Sequence, residues 1–356
     1  MNRVEHTALP EVSARAVELH HSSAVVDLHA DALLFGRDLT RRSSVGHVDL
    51  PRLREGGVLL QVFGMATAAP LGMNIDRNEA PGLDMMTLLF CNQLARGCLG
   101  GPPARLAAQE ARLAALVARD ANLIWVRSAG DLERLRSARE RDPQMLGAIA
   151  GIEGAHALGG DPHALDRAFA EGVRMIGLTH FFDNDYAGSA HGVNKGGLTE
   201  LGRRTIARME ELGILVDVAH LAPAAIDDVL AIATKPIVQS HGGVKGTCDN
   251  ARTLSDAHVR GIAATGGVVG IGYWKEAVCG TAPADVARAI HYAVNLVGDE
   301  HVALGSDYDG GTTVSFDASQ LPVLTQALLD EGLSETSVRR VLGGNALHVL
   351  AATLPR

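Results

Sequence analysis

Eight short runs of aliphatic and β-branched residues, separated by helical patterns along almost the whole chain, set the tightest limit on what this sequence can fold into. They are Ala24–Leu28, Val58–Met65, Gly147–Ile152, Val173–Leu178, Ile214–Ala219, Pro236–Ser240, Gly267–Tyr273 and Val302–Ser306. Gly, Pro or polar residues bound each run, as they bound strands buried on both faces of a parallel sheet. Amphipathic stretches lie between the runs. Thr199–Leu212 carries an apolar stripe through Leu201, Ile206, Met209 and Leu212, and Pro223–Ala231 opens on a proline suited to a first helical turn. Ser255–Ala264, Ala284–Val297 and Gln320–Leu329 repeat the pattern. Strand and helix in alternation predict an α/β fold, and eight units favour closure into a (β/α)8 TIM barrel. Asp84–Arg141 does not fit one helix; the expectation is two or three helices and a short strand, Asn122–Val126, inserted between strands two and three. Barrels with insertions accommodate 356 residues, so a single domain over 1–356 is expected.

Composition narrows the function classes. A hydrophobic fraction of 47% supports a large core. A net charge of −9 with no basic stripe argues against a nucleic-acid partner. No apolar run approaches the roughly 20 residues that cross a bilayer, and the polar N-terminus shows no apolar signal core. The final residues, HVLAATLPR, carry no lipid-anchor pattern, so no membrane anchor and a cytoplasmic location are expected. Cys91, Cys98, Cys248 and Cys279 are scattered without a C-x-x-C pair, and are expected as reduced, mostly buried thiols.

Ionisable residues collect at one end of this strand map. His29 and Asp31 follow the first run, Glu153 the third, His180 the fourth, His220 the fifth, His241 the sixth and Asp307 the eighth. Barrel enzymes place their reacting groups at the C-terminal ends of strands, where the loops share one mouth. Taken singly, each has a bland explanation. A histidine closing an apolar strand is most often a hydrogen-bonded core residue, and Asp307-x-Asp309-Gly310 is ordinary turn chemistry. Joint placement on six strand ends is what argues for a site. Of the other histidines, His156 and His191 lie in rim loops within reach of a substrate. His20, His21, His47, His163, His258, His291, His301 and His348 are expected on helices or surface turns, solvated.

Imidazole together with carboxylate suits zinc and similar borderline ions. A two-ion site needs a bridging group that keeps the ions roughly 3.5–4 Å apart. Many barrels of this type bridge with a carbamylated lysine, but the only lysines are Lys195, Lys235, Lys245 and Lys275, and none ends a strand. The bridge therefore falls to Glu153, with His29 and Asp31 on one ion and His220 and His241 on the other. Two divalent ions, Zn2+ by this ligand chemistry, make water nucleophilic at neutral pH. His180 is left to steady a developing oxyanion, and Asp307 to move a proton between water and leaving group.

The segments VDLHAD, GIEGAHAL, GLTHFFDNDYAGSAHG, VDVAHLAP, SHGGVKGTCDNARTLSD and ALGSDYDGG, in this order, carry a resemblance. The chain resembles the membrane (renal) dipeptidase family of the amidohydrolase superfamily, as a bacterial-type soluble member. The resemblance implies hydrolysis of the amide bond of dipeptides at a dinuclear zinc site, with tolerance of a C-terminal D-residue. It also implies that Arg252 grips the free α-carboxylate of a small dipeptide substrate, for which a planar guanidinium fork is suited. A homodimer stays open. Two departures lie near the mouth: Ala30-Asp31-Ala32-Leu33 replaces Asn-Asp-Leu-Pro of mammalian members, and the usual Arg-Asn pair reads Arg252-Thr253. The alternative activity is metal-dependent hydrolysis of another small amide, lactam or ester by the same chemistry. A non-catalytic barrel would usually have lost ligands, and here every expected position is filled.

Overall fold

All eight apolar runs form strands, and each pairs in parallel with the next. They are β1 Val25–Ala30, β2 Val58–Ala66, β3 Leu146–Glu153, β4 Val173–Gly177, β5 Leu215–Asp217, β6 Ile237–Gln239, β7 Val268–Ile271 and β8 Val302–Leu304. β8 returns to β1 through Leu304↔Asp27, which closes the ring. Every strand residue is buried, because the interior is filled by side chains and helices cover the outside. The result is the (β/α)8 barrel expected from the sequence, seen in a computed structural model that describes residues 2–5, 8–80, 82, 84–93, 98–161 and 163–356.

The helices begin where the chemistry of their first turns dictates. Thr199 caps Glu200–Leu212 by accepting from Gly202 N, and prolines open Pro223–Ile232, Pro283–Val297 and Pro322–Asp330. Among the described residues between β2 and β3 stand three helices, Met85–Asn92, Gly101–Arg119 and Ala129–Arg141, with a strand at Leu123–Trp125. That strand pairs with the first part of β3 (Leu123↔Leu146, Trp125↔Ala148), and β4 takes over the same edge from Ala150.

Several expectations need correction. β1 runs to Ala30, so His29 lies inside the strand; a register shift between Asp27 and Ala30 accommodates it. Glu153 is likewise the last residue of β3. The four cysteines are not thiols: Cys91 is bonded to Cys98 and Cys248 to Cys279. Folding brings their Cα atoms to 4.6 and 5.3 Å, distances that residue spacing does not reveal. His20, His47 and His258 are buried rather than solvated. His20 joins Thr325 Oγ1 and the Gly56 carbonyl, each at 2.8 Å, and so ties helix Ala14–His21 to the turn before β2. Among the described residues no helix is long and apolar enough to cross a membrane.

Candidate active site

The strand ends and the loops after them bring His29, Asp31, Glu153, His180, His220, His241, Arg252 and Asp307 to one mouth. Close approach is built into the backbone there. A Cβ at Gly64 of β2 would stand 2.5 Å from His29 Cε1 and 3.1 Å from Asp31 Oδ1, so only glycine leaves room for that pair. His220 and Asp307 occupy the left-handed region, with φ of 64° and 56°. Non-glycine residues stay there only when neighbours over-determine them, at roughly 1–3 kcal/mol each. The His220 carbonyl accepts from Thr179 Oγ1 at 3.0 Å and Ala190 N at 2.8 Å. The Asp307 amide donates to the His29 carbonyl at 3.2 Å, and its carbonyl accepts from Thr312 Oγ1 at 2.9 Å.

Glu153 stands at the centre. Its Oε1 is 2.9 Å from His220 Nε2 and 3.3 Å from His241 Nε2, and those two nitrogens are 3.2 Å apart. Its Oε2 is 3.7 Å from His29 Nε2 and 3.6 Å from His180 Nε2. His29 Nε2 is in turn 3.3 Å from Asp31 Oδ2. Donors held at 2.0–2.2 Å around one tetrahedral ion would lie about 3.4 Å apart, so these spacings are compatible with donors around a cation. The same cluster puts His180 and Asp307 at ligand range as well. His29, His241 and Asp307 form one group with atoms within 4.8 Å, and Glu153, His180 and His220 another.

The electrostatics make the same point. Burial, then the charge of Glu153, raises the Asp31 carboxyl. Burial, then Asp31, pushes Asp307 well above the usual carboxylate range. Burial also works against the Glu153 carboxylate, but His180 and His29 beside it hold it well below that range. Burial lowers His220 and His241 well below the imidazole range, with Arg252 adding to both and His29 to His241. Against its burial, His29 is held well above the imidazole range by Glu153 and Asp31, so three buried carboxylates and four imidazoles form a cluster that draws positive charge, which a cation would supply. The donor set therefore fits divalent metal.

A cavity of about 600 Å³ opens over the cluster, lined by Asp31, Glu153, His180, His220, Arg252 and Asp307 among others. His29 and His241, whose rings stack 3.8 Å apart, do not line it. His180 Nδ1 lies 3.1 Å from the Ala68 carbonyl, which accepts its proton and leaves Nε2 toward Glu153. Arg252 is 7% exposed; it donates to the His241 carbonyl at 3.1 Å, with its guanidinium carbon 5.5 Å from the Trp274 ring centre. Its loop is pinned by the short pairing of Gly243–Val244 with Thr253–Leu254 and by the Cys248–Cys279 bond. His191 lines the cavity, its Nδ1 2.6 Å from the Ile75 carbonyl, whereas His156 packs on Phe182 and does not line it.

Sequence reasoning missed the residues that hold these groups from behind. Asp27 Oδ2 accepts from Ser306 Oγ at 2.6 Å beside Asp307, and Asp217 Oδ2 accepts from Ser240 Oγ at 2.5 Å beside His241. A signal existed: VDLH and VDVAH each place a buried aspartate inside a strand just before its histidine. Asp309 is fully buried, paired with Arg37 and accepting from His47 N at 2.8 Å, which steadies the turn that carries Asp307.

Known proteins share this architecture. A model of the family described as membrane dipeptidase (peptidase family M19) matches residues 13–354. Dipeptidase aclJ of Aspergillus oryzae is 36% identical over 218 residues, which cover 58% of this chain and only 52% of that relative's length. A solved metallo peptidase from Rhodobacter sphaeroides, liganded with a phosphinate mimic of the dipeptide L-Ala-D-Ala, is 25% identical with a TM-score of 0.76, over 93% of this chain and 99% of that one. The probable dipeptidase PvdM from Pseudomonas aeruginosa shares the fold at a TM-score of 0.79 and 21% identity, over 96% and 98% of the two chains.

Proposed function

This chain belongs to the membrane dipeptidase family, and from that premise we propose that it hydrolyses the amide bond of dipeptides at a pair of divalent ions, zinc by their ligand chemistry. One observation carries the reading: Glu153 stands between two donor sets, Oε1 toward His220 and His241 and Oε2 toward His29 and His180, with Asp31 beside His29. A carboxylate so placed would be suited to hold two ions, one with each of its oxygens. Ions held there would supply positive charge that polarises a carbonyl and eases the ionisation of water. The chain's own residues do the rest. Arg252, buried against Trp274, clamps the substrate's α-carboxylate. His180, whose Nδ1 already donates to the Ala68 carbonyl, would as the imidazolium also donate from Nε2 to the oxygen on which charge develops. Asp307, on the cavity wall, takes a proton from the attacking water and returns it to the leaving amine.

A D-residue at the C-terminal position is part of the proposal, supported by the ligand named for the Rhodobacter relative. The two disulfides favour an oxidising compartment over the cytoplasm that the bulk sequence suggests. Chelation should abolish hydrolysis of L-Xaa-L-Xaa and L-Xaa-D-Xaa libraries, and two equivalents of Zn2+ should restore it. Metal analysis finding no bound divalent ion would sink the site; one equivalent at full activity would sink the pair. Cleavage of no dipeptide by the zinc-loaded protein would reject the activity.

A further inference from the structure

The cavity over the donor cluster has two unlike halves. Loops after β6 and β7 contribute Arg252, Lys275 and Glu276. Loops after β1 and β2 contribute Phe35, Met73, Met85, Met86 and Leu89, and beyond Asp31 no charged residue among the described lining. This apolar half forms a cluster of its own with Leu34, Ala66, Ala69 and Phe90, separate from the main core. Helix Met85–Asn92 supplies Met85, Met86, Leu89 and Phe90. Met86 and Phe90, one turn apart, are 3% and 0% exposed, while Met85 and Leu89 on the adjoining face are only partly buried, and Leu89 lines the cavity with Met85.

The wall is fixed in place. Asp84 caps the helix by accepting from Thr87 N at 2.7 Å. Both its oxygens lie 2.9 Å from Arg105 Nη1, which also donates to the Thr67 carbonyl just past β2 at 2.7 Å. A buried, hydrogen-bonded ion pair of this kind holds a position more than it adds stability.

In a ring of eight strands, β2 stands opposite β6. A dipeptide whose carboxylate lies on Arg252 after β6, and whose scissile carbonyl lies at Glu153, extends its far end toward the loops after β1 and β2; two extended residues span about 7 Å. We propose that Phe35, Met73, Met85, Met86 and Leu89 form the subsite for the side chain of the N-terminal residue, so that the enzyme selects dipeptides headed by a large apolar residue. This rests on the dipeptidase reading above. Three methionines make the wall adaptable, since unbranched thioether chains reshape around leucyl, methionyl and phenylalanyl groups alike. A charged head group would lose its hydration against these five side chains, none of which offers it a strong hydrogen-bond partner.

The test compares kcat/KM for Leu-Ala, Met-Ala and Phe-Ala with Gly-Ala, Asp-Ala and Lys-Ala, and with the reversed series Ala-Leu and Ala-Phe. The first set should exceed the second by roughly 10- to 100-fold. Calorimetric binding of non-cleavable reduced-amide analogues should follow the same order. Leu89→Lys should raise the Asp-Ala to Leu-Ala ratio at least tenfold, with thermal melting to show that the variant folds; Met85→Gln, a milder change, should compress the preference. Equal rates across the first residue, or a preference set by the second residue, overturns the subsite while leaving the activity standing. No cleavage of any of these dipeptides overturns both.

Discussion

Ser240 Oγ lies 2.7 Å from His241 Nδ1 and 2.5 Å from Asp217 Oδ2, so the hydroxyl donates to the carboxylate and accepts from the ring. Asp217 Oδ1 is occupied by the amides of Ala219 at 2.9 Å and Ser240 at 2.8 Å, which fixes the carboxylate itself. With the proton held on Nδ1, the Nε2 lone pair of His241 faces Glu153. Ser240→Ala should therefore weaken metal binding by roughly 10- to 100-fold, measured by competition with a chromophoric chelator, and Ser240→Thr should restore it. Unchanged affinity in the alanine variant would remove this role from Ser240.

Asp307→Asn keeps the shape of the side chain and removes its ability to carry a proton. The expected loss is about 10²–10⁴ in kcat with little change in KM. A metal titration should accompany it, because Asp307 also lies at ligand range of His29 and His241. Loss of a bound ion in the variant would reassign Asp307 as a ligand.

Arg252→Ala should harm substrates with a free α-carboxylate and largely spare amidated ones, so that the difference between free and amidated dipeptides disappears. Arg252→Lys should fail almost as badly, since a point charge reproduces neither the planar fork nor the packing over Trp274. Equal losses on free and amidated dipeptides would contradict the clamp.

The Cys248–Cys279 bond joins the loop of Arg252 to the segment that follows Trp274, across a sequence separation of 31. Replacing both cysteines by serine should cost about 3–4 kcal/mol by the loop-entropy argument. Activity should fall through KM rather than kcat, because the pair Arg252–Trp274 would be less well held. A variant with wild-type KM at a temperature where it is fully folded would show that the bridge serves stability alone.

His20 gives a pH dependence far from the site. Burial lowers its pKa from 6.5 to about 4, against the opposing effect of its bond to Gly56. The unfolded chain then binds the proton more readily than the folded one. The contribution to stability is complete above about pH 6.5 and is lost as pH falls from there toward 4. Unfolding free energy measured in urea should drop by about 2 kcal/mol on this account between pH 7 and pH 4.5. His20→Gln should flatten that slope; an unchanged slope would assign the acid sensitivity to other groups.

Much of the architecture was legible because it is written in local chemistry. Eight buried parallel strands must be apolar along their length, so Val58–Ala66 or Val302–Leu304 stand out without any knowledge of their partners. Prolines at 223, 283 and 322 mark helix starts for the same local reason. Once the strands are placed, barrel closure alone brings His29, Asp31, Glu153, His180, His220, His241 and Asp307 to one mouth. The absence of lysine from strand ends already singles out Glu153 as the carboxylate between them.

What remained hidden depends on distances between residues far apart in the chain. Nothing local distinguishes the buried His20 or His47 from a solvated histidine, or the bonded Cys248 and Cys279 from two thiols; only the packed loops bring those partners together. The facing of the two Glu153 oxygens, the Ser240 link between Asp217 and His241, and the apolar wall across the mouth from Arg252 are likewise products of closure. The sequence by itself determined the barrel and which strand-end residues would meet at its mouth, because burial patterns and strand ends are one-dimensional properties. Tertiary structure decided how the members face one another, because hydrogen-bond direction and cavity shape exist only after the ring has closed.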